Sequence, residues 1–355
     1  MTEAGDPAGG SSGDPTGDAA AETGGSSTPA APFVRSARVA IPWVVAAVCL
    51  AWVFQVVPFE ACVAALRRAR LALFLPAAVG AVLLWFTIES AAYAYTFSRF
   101  NTRVRWREAR SIRALSYLLT VVHWHLAKAA VVLRLNTTHG VGLVAATSTL
   151  LLYQMIGLLT LALLTSAGAI ALRFSVTGYS HAPAAPESVL VAAGLLAAGM
   201  IAALLMLRFD RPRLPGLAKL RAIGLFASHR RVSRQDVFVI GAAKVAYQLV
   251  FVGVYAIGLR AFGLSPSLSH VMVATAILQA IGGIPISPAG FGTQQAAMLV
   301  LFSDPAANGA DGPAILAFGF SLPITTMVVR ALLACLYLGD LRDTTGASSS
   351  ATTRV

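Results

Sequence analysis

Apolar residues in this chain run in blocks of membrane length, not in the strict alternation of a half-buried strand, and arginine-rich stretches separate the blocks. A spanning helix needs about 20 apolar residues. Ile41–Val57, Leu71–Phe97, Val141–Leu172, Val189–Leu207, Val237–Leu259 and Pro313–Leu338 meet that requirement. Two blocks do not fit it. Ala114–Leu135 is long enough but carries His123, His125, Lys128 and Arg134, and His270–Phe302 is too long for one span, too short for two and interrupted near its middle. The pattern predicts an all-α polytopic membrane helix bundle with about six full spans plus two broken or re-entrant segments.

The interruption reads GGIPISPAGFGTQQ from Gly282 to Gln295. Pro285 and Pro288 lack N–H donors and bar helix, while Gly290 and Gly292 permit positive φ and close approach. His270–Ile281 and Thr293–Phe302 rise about 18 and 15 Å as helix, so two half-helices each reach the middle of a roughly 30 Å hydrocarbon core. Irregular backbone survives there only if protein buries it or it lines a polar cavity. The start of the second half-helix, at Thr293, Gln294 and Gln295, offers unpaired N–H groups and the positive end of a dipole to an anion such as a lipid phosphate. With Gly283 and Ser287 these residues are substrate-binding candidates. The competing reading is a tight extracellular loop between two short tilted spans, with the glutamines as caps.

Charge orders the segments. Arg99–Arg113 and Arg208–Arg234 hold most of the Lys and Arg, within basic loops 98–113 and 208–236, and such loops belong in the cytoplasm. A full crossing by Ala114–Leu135 would put them on opposite sides; a segment that dips in and returns keeps both inside with the two termini. His270–Phe302 then enters from outside, and paired interrupted segments of opposite direction are the mark of an inverted-repeat transporter.

Composition agrees: 57% hydrophobic and 12% charged residues with a mean hydropathy of +0.73. Residues 1–34 form an acidic Gly/Ser/Pro tail that cannot bury enough apolar surface to order itself, and it lacks the basic start and apolar run of a signal peptide. Residues 35–341 form the membrane domain, and residues 342–355 a short tail of the same kind. Cys49, Cys62 and Cys335 show neither disulfide nor zinc spacing, and no cofactor or metal is expected. The net charge of +12 flanks apolar spans and so points to anionic inner-leaflet lipids, not to nucleic acid. The basic loop from Arg208, with Leu214, Leu217, Leu220, Ile223, Leu225 and Phe226 interleaved, reads as an amphipathic surface segment or a solvated connector.

Ionisable groups at membrane depth are costly and face the bundle interior. Lys244, Tyr247, Gln248, Phe251 and Tyr255 share one helical face, as a cavity wall or an interhelical seam. Arg330 either binds a phosphate or pairs with Glu89. Lys128 and Arg134 either snorkel to headgroups or handle lipid. His123 and His125 point to different faces and are not expected to share a metal. Gln154 and Gln279 read as helix-packing hydrogen bonds.

The run SLSHVMVATAILQAIGGIPISPAGFGTQQAAMLVLF resembles the C-terminal motif of the flippase-like family that includes the transmembrane region of lysylphosphatidylglycerol synthetase, also called multiple peptide resistance factor. That motif has a proline, a small residue, a Gly-x-Gly pair and a glutamate opening a helix. Pro285, Ser287, Gly290 and Gly292 match, and the acidic position falls on Gln294 or Gln295. Arg330 and Gly339 stand where the family has its arginine and glycine, and Lys128 or Arg134 where it has a basic residue. The resemblance covers roughly Trp43–Asp340, although HWHLAKAAVVLRL departs from the family's proline and Gly-acidic pair.

It implies a cell-membrane protein that moves or helps move a lipid or lipid-linked headgroup between leaflets. It does not imply aminoacylation, since no synthetase domain follows Leu341. A non-transporting scaffold or assembly partner is the alternative, favoured by the glutamine at the acidic position. A membrane-embedded transferase ranks third, because no nucleophile–base pair or metal cluster is legible and the chain is not expected to be an enzyme. Homo-oligomerisation and a membrane partner remain open.

Overall fold

The computed structural model describes residues 32–122, 124–174, 186–208, 224–283, 287, 290–303 and 311–338. Among the described residues, 32–39 group apart from the bundle, which begins at residue 40. Every regular element among the described residues is a helix, including a short 3-10 turn at Gly224–Phe226. Their elements are α1 (Pro32–Val56), α2 (Phe59–Arg68), α3 (Leu71–Phe100), α4 (Trp106–Val122), α5 (Trp124–His139), α6 (Leu143–Phe174), α7 (Pro186–Arg208), α8 (Ala227–Arg231), α9 (Arg234–Ala261), α10 (Leu268–Gly283), α11 (Thr293–Phe302) and α12 (Gly312–Leu336).

Five of these helices, α3, α6, α7, α9 and α12, are long and apolar enough to cross a membrane. The expected span Ile41–Val57 falls in α1, which is long and apolar enough to cross only together with α2, and the two bend by 75° at Pro58, so the count is five spans, or six if this bent pair is one. The protein is therefore a multi-pass membrane protein.

Helices α3 and α9 are antiparallel, and their ends are tied. At one end Arg99 Nε donates to Asp236 Oδ1 at 3.0 Å; at the other the Arg70 N–H donates to the Ala261 carbonyl at 2.8 Å. Asp236 also builds the start of α9, since its carboxylate accepts from the Ser233 N–H at 2.8 Å while the Ser233 hydroxyl accepts from the Asp236 N–H at 3.1 Å. This reciprocal cap satisfies two orphan donors.

Both doubtful segments are helical hairpins. Helices α4 and α5 pack on each other, and their far ends meet where His139 Nε2 lies 3.8 Å from Glu108 Oε2. Ala114–Leu135 thus enters and returns, as its charge pattern predicts. In the second hairpin the His270 ring donates to the Leu301 carbonyl at 2.7 Å, which brings the start of α10 to the end of α11. The first hairpin follows the Arg99 end of α3 and the second follows the Ala261 end of α9, so they enter from opposite ends of the bundle. Span, hairpin, span (α3, α4/α5, α6) is repeated in inverted direction by α9, α10/α11 and α12.

Close helix approach depends on small residues. A Cβ at Gly258 would run into the Phe318 ring, and one at Gly168 would lie 2.9 Å from Met272 Cβ. Phe318 stacks edge-on against Phe74, Tyr255 and Phe262 in the core between α3, α9 and α12. Gly292, at φ +83°, faces α1: a Cβ there would come within 2.7 Å of the Ala46 carbonyl oxygen.

Candidate functional site

A cavity of about 620 Å³ lies where the two hairpin tips approach each other. The first tip contributes Thr120, Ala127 and Lys128, and the second Gly282, Gly283 and Gln294. Helices α3, α6, α9 and α12 close the walls with Glu89, Gln154, Lys244, Gln248 and Arg330, while Leu158, Leu161, Phe251 and Leu278 keep part of the surface apolar. Glu89 is ten residues from Arg99, and Lys244 ten from Arg234. Ten helical residues rise about 15 Å, which sets the cavity near the midplane of a roughly 30 Å core.

Its charges are ordered by aromatic faces. Arg113, on α4, donates to the Glu89 carboxylate and, through Nη1, to Ser116 Oγ at 3.0 Å. Its guanidinium sits 4.5 Å from the centre of the Tyr117 ring, and that of Arg330 sits 5.4 Å from the same ring and 5.9 Å from Trp85. Lys244 Nζ lies 3.5 Å from the centre of the Tyr153 ring. Gly157 makes room for that lysine, because a Cβ there would come within 3.0 Å of Lys244 Cε. Cation–π contact steadies these buried charges.

Several buried polar atoms have no partner among the described residues: Arg113 Nε, Arg330 Nε and Gln248 Oε1 on the cavity, and Tyr117 Oη beside both arginines. Buried polar atoms are normally satisfied, so this concentration marks the place where protein geometry leaves hydrogen-bonding capacity for something else. Arg330 does not pair with Glu89 as one expectation had it; Arg113 takes that carboxylate.

The sequence candidates divide. Glu89, Lys128, Lys244, Gln248, Gly283, Gln294 and Arg330 line the cavity together. Lys128 sits near the hairpin tip, not at the bundle end, so headgroup snorkelling does not describe it. Ser287, Gly290, Gly292, Thr293, Gln295 and Arg134 are not on the cavity wall, and Pro285 lies outside the described residues, as do Gly339 and most of the basic loop after Arg208.

The Ser287 and Thr293 hydroxyls are 2.8 Å apart, and Thr293 Oγ1 donates to the Gly290 carbonyl at 3.2 Å, which folds the entry to α11 on itself. Gln295 is buried: its Oε1 accepts from the Gly292 N–H at 2.7 Å and its Nε2 donates to the Gly319 carbonyl at 3.0 Å. It clamps α11 to α12, so of the adjacent glutamines only Gln294 faces the cavity.

Gln154 and Gln279, read from sequence as packing residues, line the cavity, and so does the whole Lys244, Tyr247, Gln248, Phe251, Tyr255 face. Sequence reasoning missed Arg113 and Tyr117 by assigning the last loop arginine to the solvent. The available signal was its place two turns after Trp106, inside a helix.

Among the described residues no group of His, Cys, Asp and Glu could hold a metal ion. The family model described as "Lysylphosphatidylglycerol synthase TM region" matches residues 39–338. No curated protein and no solved structure matches the chain.

Proposed function

The chain belongs to the lysylphosphatidylglycerol synthase TM-region family, a membrane family linked to lipids, and from that membership we propose that it carries a lipid headgroup across the bilayer through the cavity between its two hairpins. The observation that carries this reading is the placement of Arg330, Lys128 and Lys244 around a midplane cavity whose remaining wall is partly apolar. A guanidinium can hold a phosphate through two parallel hydrogen bonds, and the apolar wall suits the start of the acyl chains. Hairpins entering from opposite ends supply the elements that alternating access requires, because each tip can part from the cavity on its own side.

The positive-inside rule assigns the end holding Arg99, Arg110 and Arg234 to the cytoplasm, and we place both termini there and the protein in the cell membrane. The role is movement and not bond chemistry. Reconstituted protein should accelerate leaflet exchange of a fluorescent phospholipid, and Arg330→Ala should lower the rate at least tenfold with the protein still folded. Unchanged exchange in the variant removes Arg330 from the mechanism. No exchange with any lipid, in verified proteoliposomes, supports the scaffold reading instead.

A further inference from the structure

The cavity is unbalanced in charge. Among the described residues that line it, Arg113, Lys128, Lys244 and Arg330 are cationic and Glu89 alone is anionic. Glu89 is already engaged by Arg113, so the wall has a formal excess of three basic side chains. Like charges held together away from water repel strongly.

We propose that the cavity selects lipids whose headgroup is net anionic, with phosphate charge left uncompensated, and rejects headgroups that carry an amine, including aminoacylated ones. This deepens the translocation reading and rests on it.

Two observations point the same way. An amine in a headgroup needs a carboxylate or an aromatic face. The carboxylate is taken, and the rings on the cavity are engaged: Arg113 lies over Tyr93 and Lys244 over Tyr247, while Phe251 and Tyr255 stack on each other. A phosphate meets the opposite situation, since Arg330 Nε is a buried donor with no partner among the described residues. An amine-bearing headgroup would add a cation to a site with three basic side chains in formal excess, whereas an anionic one offsets them.

The test is equilibrium binding to the purified full-length protein by native mass spectrometry, with dioctanoyl phosphatidic acid, phosphatidylglycerol, phosphatidylethanolamine and lysyl-phosphatidylglycerol, and with glycerol phosphate as the arm without acyl chains. Phosphatidic acid and phosphatidylglycerol should bind at least tenfold tighter than phosphatidylethanolamine, with the lysyl lipid weakest. Arg330→Gln, and independently the half-buried Lys128→Gln, should each shrink that ratio at least threefold. Equal binding across the panel, or preference for the lysyl lipid, overturns the charge selection and leaves the lipid reading standing. Glycerol phosphate binding as tightly as the lipids overturns the lipid source. No binding in any arm overturns both.

Discussion

Glu89 on α3 holds Arg113 on α4, and it does so beside Tyr117, on whose ring Arg330 also rests. The pair joins the first hairpin to the bundle, and both side chains are largely out of solvent, 13% exposed for Arg113 and 9% for Glu89. Removing one partner of a buried pair leaves an uncompensated charge, at a cost of about 3–5 kcal/mol. Glu89→Gln should therefore lower thermal stability in detergent by that order. In double-mutant cycles Glu89→Gln should couple to Arg113→Gln by more than about 1 kcal/mol and to Arg330→Gln by clearly less. Equal couplings would show that Arg330 shares the carboxylate.

Glycines at the second hairpin separate folding from passage. Gly283 lines the cavity, and a Cβ there would meet nothing within 4 Å. Gly292 has φ +83° and abuts the Ala46 carbonyl. Gly283→Leu should leave melting temperature nearly unchanged and reduce lipid exchange, by occupying the path. Gly292→Ala should cost about 1–3 kcal/mol through backbone strain and lower the yield of folded protein. A stable, fully active Gly283→Leu protein would show that the path runs elsewhere.

The spans were legible because bilayer thickness imposes a length on apolar runs, and Leu71–Phe97 or Val237–Leu259 needs no tertiary context to be recognised. The second hairpin was legible too, since Pro285, Gly290 and Gly292 break helix by covalent geometry. The tip of the first was not: α4 ends at Val122 and α5 starts at Trp124 with no proline or glycine in the sequence between Trp106 and His139, so only the charge balance of the flanking loops revealed the return. Site chemistry was legible by helical spacing where it lay on one element, as from Lys244 to Tyr255. It was hidden where it depended on two. Nothing local distinguishes Gln294 from Gln295; one faces the cavity and the other bonds to Gly319 because α12 passes on that side. Arg113 looked like one more loop arginine until Glu89 was beside it.

His229, on α8 at the basic end, gives a pH dependence. The residue is fully buried, its Nε2 is 3.0 Å from Met155 Sδ, and its Nδ1 has no partner among the described residues. Burial lowers its pKa from 6.5 to about 4. The unfolded chain therefore binds this proton more readily than the native state between those values, and stability rises with pH there. The contribution is complete above about pH 6.5 and is lost as pH falls towards 4, a change of roughly 3 kcal/mol. Melting curves in detergent across pH 4–7.5 should show this slope, and His229→Gln should flatten it. An unchanged slope in the variant would assign the acid sensitivity to other groups.

Orientation follows from the tied ends of α3 and α9. Arg103 is exposed just beyond the Arg99–Asp236 end, and Arg67 is exposed just before the Arg70–Ala261 end. In a chain with Cys49, Cys62 and Cys335 replaced by serine, Arg67→Cys should react with a membrane-impermeant maleimide on intact cells. Arg103→Cys should react only after permeabilisation. Those two positions flank α3 and lie on opposite faces whichever way the bundle is inserted, so labelling of both from outside would contradict a crossing by α3. The reverse pattern would invert the protein, put its densest basic loops outside, and send the second hairpin into the membrane from the cytoplasm.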